Sequence, residues 1–164
     1  VLGSRGLGDV YKRQDQIYQE SGRVSTIGIS ALDPAWADQI DAQGKMLFII
    51  EGLSMYLTPE ENATMLEIIR DHFDNATVMM ECLAKKWVNK EDIEESIQKT
   101  GAKFIFGADC FEDLGDVAKG FRKIKDDNIT RGMTKIIPVL KLFGWLPIIR
   151  KMTQKILIFE KVQE

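Results

Sequence analysis

The sequence predicts an α/β layer fold with a mainly parallel sheet. Three observations carry this. First, apolar β-rich runs alternate with helix-like segments along the chain, the pattern of strands joined by helical crossovers. Second, Met46-Leu47-Phe48-Ile49-Ile50 is an apolar run with no polar alternation, which suits a strand covered on both faces. Third, that run passes at once through Glu51-Gly52 to Thr58-Pro59-Glu60-Glu61. An acid and a glycine at the carboxyl end of a strand stand where open α/β sheets bind ligands.

Residues 1–14, VLGSRGLGDVYKRQ, have no initiator methionine, no signal-peptide core and no helical or strand period. They resemble the conceptual translation of a sequencing adapter and are expected to be a non-native leader. Gly6-Leu7-Gly8-Asp9 has the look of a nucleotide loop, but no buried strand precedes it. A single domain is expected over residues 15–164. Residues 15–20 read as the tail of a helix, and Ser21-Gly22 as a turn. Residues 23–30 are β-rich, with Val24, Ile27 and Ile29, and predict a strand. Asp33-Pro34 starts a turn, because proline pushes the preceding residue out of helical geometry. A short helix over residues 34–40 would bury Trp36 and Ile40, and Gln43-Gly44 would end it.

Thr58 suits an N-cap, Pro59 the first helical position, and Glu61 completes a capping box. The helix should reach about Phe73, with Met65, Leu66, Ile69 and Phe73 forming one apolar stripe. Asp74-Asn75 then turns the chain into a buried strand over residues 76–83. Residues 85–99 are charged and helix-like, and Thr100-Gly101 closes them. Residues 110–117 predict a short helix, and residues 120–130 a partly exposed strand. Residues 135–152 are apolar and helical, broken by proline and glycine. Residues 155–162 form a final strand by pattern and propensity.

Composition narrows the function. The 164 residues are 45% hydrophobic and 29% charged, with a net charge of −3, which fits one globular domain. The basic residues are scattered, so nucleic acid is not an expected partner. No apolar run reaches the length of a membrane span, so no membrane is expected either. Cys82 and Cys110 lie far apart without a CxxC spacing. They read as buried free thiols in a reducing cytosol, and the expected location is cytoplasmic. No cluster of histidine, cysteine and carboxylates has metal-ligand spacing.

Two motifs stand together: Ser30-Ala31-Leu32-Asp33-Pro34-Ala35-Trp36, and Glu51-Gly52-Leu53-Ser54-Met55-Tyr56-Leu57-Thr58-Pro59-Glu60-Glu61. In that spacing the sequence resembles the leucine carboxyl methyltransferase family, and within it the bacterial, tetracenomycin-type polyketide O-methyltransferases. The likeness covers roughly residues 20–164. It implies the Rossmann-like class I fold of S-adenosylmethionine enzymes, with strands ordered 3-2-1-4-5-7-6 and strand 7 antiparallel. Residues 24–30 would be strand 3, residues 46–50 strand 4, residues 78–83 strand 5, residues 121–130 strand 6 and residues 156–162 strand 7. Strands 1 and 2, with their glycine-rich and ribose-binding acidic loops, have no counterpart. The segment around Ile27 is therefore expected to lack its sheet neighbour, and strand 4 to present an open edge.

The resemblance also implies site residues. Asp33 would accept from the adenine amine, and Pro34 would flank the ring. Glu51 would lie near the methionine part of S-adenosylmethionine, with Gly52 letting the backbone approach. Tyr56 and Phe106 would serve a small-molecule acceptor. Each has a plainer reading beside it: Asp33 as a turn former, Glu51 as a loop carboxylate, Tyr56 as a packed aromatic. His72 reads as a cation at a helix end. The implied activity is methyl transfer to a carboxylate or hydroxyl. Two other readings stay open, a catalytically inactive α/β fragment or interaction module, and another nucleotide enzyme such as a reductase. The sequence leaves the oligomeric state open.

Overall fold

A computed structural model describes residues 26–41, 44–90, 103–129 and 154–163. The chain divides into two compact units, Val1–Asp41 and Ala42–Glu164.

In the first unit, Asp33 caps a 3-10 helix over Pro34–Gln39 by accepting from the Ala35 amide at 3.0 Å. Trp36 Nε1 donates to the Ala31 carbonyl at 3.2 Å. Ala37 is the buried residue of this helix, whereas Trp36 and Ile40 are only half-buried. The α-helical spacing of Trp36 and Ile40 misleads here. Three residues per turn align Pro34, Ala37 and Ile40 instead. The expected strand over residues 23–30 is corrected for its described part: residues 26–30 form no strand. Beta propensity alone does not make a strand, which exists only through a ladder with a neighbour. Residues 23–25 of that expectation lie outside the described residues.

The second unit holds a four-stranded sheet. Its strands are β1 (Met46–Ile50), β2 (Ala76–Cys82), β3 (Phe121–Asn128) and β4 (Lys155–Lys161), in the order β1-β2-β4-β3. β1 and β2 are parallel, with Phe48 beside Val78. β4 is antiparallel to both β2 and β3. The sheet is therefore mixed: only one of its three ladders is parallel, because the last strand inserts between β2 and β3.

Helix α1 (Pro59–His72) begins with the anticipated capping box. Thr58 Oγ1 accepts from the Glu61 amide at 3.1 Å, and Glu61 Oε2 accepts from the Thr58 amide at 2.8 Å. Arg70 and His72 occupy its last turn, where cations favour the helix dipole. The stripe of Met65, Leu66, Ile69 and Phe73 is buried as expected. The Phe73 ring meets Phe48 at 4.8 Å, so this end of α1 lies over the even-numbered face of β1. In-register neighbours share a face, which places Val78, Met80, Leu157 and Phe159 on that side too, all fully buried.

The other face of β1 corrects the expectation of burial on both sides, since Leu47 is 61% and Ile49 58% exposed. β1 ends the described sheet, so only β2 flanks it. A 3-10 helix over Phe111–Ala118 replaces the simple helix expected there. Gly115, at φ +50°, breaks it into two turns, and Phe111 packs its ring on Phe159 at 5.3 Å. Of the charged helix expected over residues 85–99, Lys85–Trp87 form a 3-10 turn and residues 91–99 lie outside the described residues. So do the expectations for residues 1–14, 15–22 and 135–152. Among the described residues, no helix is long and apolar enough to cross a membrane, and no cluster could hold a metal.

Candidate functional site

The carboxyl ends of β1 and β2 build a loop held by buried polar side chains. β1 stops at Ile50, and the chain turns through Glu51 and Gly52 into a 3-10 turn over Ser54–Tyr56. Gly52 adopts φ +64°, a left-handed conformation that a side chain makes costly. A Cβ there would meet nothing within 4 Å, so the constraint is conformational and the space around it is open. The Gly52 amide donates to Glu81 Oε2 at 2.8 Å. Glu81 stands at the end of β2 and is only 9% exposed.

Beneath that contact, Ser54 is fully buried, and its Oγ donates to the Glu81 carbonyl at 2.5 Å. Asn62, in the first turn of α1, is also fully buried. Its Nδ2 donates to the carbonyls of Ser54, Leu57 and Thr58 at 3.0, 3.2 and 3.0 Å. One amide thus holds three carbonyls of the loop, while its Oδ1 is buried without a hydrogen-bond partner. Such networks fix a backbone because each buried polar group is costly to leave unpaired.

A second segment is tied to the same loop. The Met55 carbonyl accepts from the Ile105 and Phe106 amides at 2.9 and 3.3 Å. The Tyr56 ring lies 5.3 Å from that of Phe104. The Ala108 amide reaches the Leu83 carbonyl at 3.0 Å. Gly107 allows this approach, for a Cβ there would stand 2.6 Å from that carbonyl oxygen.

The structure therefore brings Gly52, Tyr56 and Phe106 to one loop. Glu51 projects from it and is exposed, Tyr56 is half-buried, and Phe106 is buried. Asp33 and Pro34 are exposed on the first unit, where Asp33 acts as the helix cap described above. Sequence reasoning missed Glu81, Ser54 and Asn62. Two of them left a signal. Glu81 is the single acid in the otherwise uncharged strand ATVMMEC, and Asn62 falls three residues before Met65 on the apolar stripe of α1. Ser54 left none.

Ion pairs also lie farther from the loop. Lys85 Nζ meets Asp113 Oδ1 at 2.7 Å, and this hydrogen bond holds the Asp113 carboxyl below the usual range. Lys155 is buried and lies 3.9 Å from Asp109. Burial pushes the Cys82 thiol up to about 12, so this cysteine is no nucleophile at neutral pH. Cys110 is only half-buried, a departure from the expectation of two buried thiols. His72 stands at the end of α1 with Nδ1 2.9 Å from the Ile68 carbonyl.

No protein-family model matches the chain. Over 99 residues it is 25% identical to the tetracenomycin polyketide synthesis O-methyltransferase TcmP of Streptomyces glaucescens. The match covers 60% of this chain and 37% of that protein. This similarity supports a relationship to methyltransferases at a distance.

Proposed function

We propose that this chain belongs to an S-adenosylmethionine-dependent O-methyltransferase that acts on a carboxylate or hydroxyl of a small molecule. The observation that carries the reading is the similarity to an O-methyltransferase over 60% of the chain. The topology supports it. The order β1-β2-β4-β3, with only β4 reversed, is the order 4-5-7-6 of the class I fold.

Each unit, taken by itself, offers residues suited to one part of the cofactor. When bound, S-adenosylmethionine supplies an electrophilic methyl group on a sulfonium centre. Glu51 offers an exposed carboxylate at the end of β1, and the open space at Gly52 admits a close approach to the backbone. Asp33 uses Oδ1 for its cap, which leaves Oδ2 to accept from the adenine amine, beside Pro34. Methyl transfer is an in-line displacement, so these residues bind and orient rather than move protons. Aligning acceptor and methyl at about 3 Å is worth roughly 7–11 kcal/mol in well-oriented cases. Tyr56 offers a hydroxyl on the same loop to the acceptor, and Phe106, being buried, shapes the loop from behind.

Calorimetry with S-adenosylhomocysteine tests this. The chain should bind at micromolar affinity, and Asp33→Ala and Glu51→Ala should each weaken binding about tenfold, or about 1.4 kcal/mol. Binding unmoved by either change would sink the site assignment. The exposed edge of β1 favours a second reading, a non-catalytic interaction module, which an absence of binding by the intact chain would support.

A further inference from the structure

The loop that follows β2 gathers three lysines, Lys85, Lys86 and Lys90. Lys85 is bound to Asp113 at 2.7 Å. Lys86 and Lys90 are exposed, and neither has a carboxylate partner among the described residues. Both turn to one ring instead. Lys86 Nζ stands 4.7 Å and Lys90 Nζ 5.9 Å from the centre of the Trp87 indole, within reach of a cation–π contact. The ring attracts each ammonium, but two ammonium groups gathered on one ring repel each other. An anion seated between them removes that repulsion and meets charged donors from both.

The backbone holds this pair in place. The Trp87 amide donates to the Ala84 carbonyl at 2.9 Å, and the Val88 amide to the Lys85 carbonyl at 3.1 Å. Asn89 then takes φ +58°, a left-handed conformation, and turns the chain so that Lys90 comes back to the ring that Lys86 faces. Residues other than glycine keep such a conformation only where their surroundings enforce it. Here the Asn89 amide donates to the Phe104 carbonyl at 2.8 Å. The Phe104 ring in turn meets that of Tyr56 at 5.3 Å, and the Ile105 and Phe106 amides donate to Met55. Residues 104–106 therefore tie the lysine pair to the loop that carries Gly52 and Tyr56.

We propose that Lys86, Lys90 and Trp87 form an anion subsite for the methyl acceptor, which thus carries an anionic group besides the oxygen to be methylated. The lysines do not hold the reacting oxygen. That oxygen gives an electron pair to the methyl carbon, and two bound ammonium groups would hold the pair back. The half-buried Trp87 ring offers an apolar wall to the body of the same molecule. The subsite rests on the methyltransferase reading for the identity of its ligand, but its affinity for an anion is measured without cofactor.

Calorimetry on the full chain with naphthalene-2-sulfonate tests this, because a sulfonate is an anion on a flat apolar body and a poor methyl acceptor. It should bind in low salt and weaken as salt screens the lysines. Neutral naphthalene-2-methanol should bind at least about tenfold more weakly. Lys86→Gln and Lys90→Gln should each weaken the sulfonate about tenfold. The double variant K86R/K90R keeps both charges and should retain most of the affinity. Both lysines are exposed, and circular dichroism checks that the variants fold. Affinity for S-adenosylhomocysteine should be the same in all of them. No binding of the sulfonate, equal binding of the neutral alcohol, or indifference to both glutamine changes would each overturn the subsite and leave the methyltransferase reading standing. Sulfonate binding by a chain that takes no S-adenosylhomocysteine would keep the anion site and overturn its role in acceptor recognition.

Discussion

Gly107 shows how one residue can set a loop some distance away in sequence. A Cβ at this position would stand 2.6 Å from the Leu83 carbonyl oxygen and 2.8 Å from Val88 Cγ2. The oxygen cannot yield easily, because it accepts from the Ala108 amide at 3.0 Å. Gly107→Ala should therefore cost about 1–3 kcal/mol, the usual range for overpacking. At about 2–4 °C per kcal/mol in a chain of this size, Tm should fall by roughly 5 °C in a thermal melt. An unchanged Tm would mean that the segment from Phe104 to Ala108 shifts freely. The same segment donates to Met55, so the strain should also reach the loop that carries Gly52 and Tyr56. None of this was legible in the sequence, where Gly107 is one glycine among thirteen. Glu51 and Gly52 stood out because they end an apolar run. Ser54 and Asn62 did not, because their contacts exist only once β2 and α1 are packed together.

Elements with local signals were the legible ones. β1 and α1 fall within a residue of expectation because an apolar run and a capping box mark their ends. β2 and β4 follow their β-rich runs, and β3 lies within the partly exposed strand expected over residues 120–130. Misreadings arose where the deciding contact is not local. Residues 26–30 have strand propensity but form no strand, and Gly115 takes a left-handed conformation that splits a helical turn. The cap of α1 can be tested directly. Thr58→Ala removes the oxygen that accepts from the Glu61 amide and should cost about 1 kcal/mol. The urea midpoint should fall accordingly, with an unchanged slope. Thr58→Ser keeps an oxygen in place and should retain most of the stability. Equal losses in the two variants would show that the methyl group, and not the cap, supports the helix.

At the scale of the whole molecule, the sheet order binds the two ends of the second unit. β4 is the last strand in sequence, yet it lies between β2 and β3. Its Leu157 and Phe159 are fully buried, so the core of the described sheet forms only when residues 155–161 have paired. The residue pattern marks residues 155–162 as a strand but does not name its neighbours; its place between β2 and β3 was expected only from the order 5-7-6 that the family resemblance implied. Stability should therefore respond to pH as one unit, through the groups whose titration the fold displaces. On the acid side, the hydrogen bond from Lys85 lowers the Asp113 carboxyl from 3.8, and Arg70 lowers Asp71 in the same way. A depressed acid stabilises the fold above its unfolded value and loses that effect as pH falls through the folded one. The acid limb should thus begin below about pH 3.8. On the alkaline side, burial raises the Cys82 thiol from 9.0 to about 12. The fold favours the neutral thiol, so this contribution is complete below pH 9 and declines as pH rises toward 12. Lys85 and Lys123 are raised above 10.5 by their carboxylate partners and add to the decline only beyond that point. Urea midpoints across pH should accordingly fall from about pH 9 upward, with a slope approaching 1.4 kcal/mol per unit. In Cys82→Ala the fall should start later, above 10.5, where the lysines titrate. If the alkaline limb keeps its position in Cys82→Ala, the buried thiol does not control it, and Cys82 must be able to ionise without opening the end of β2.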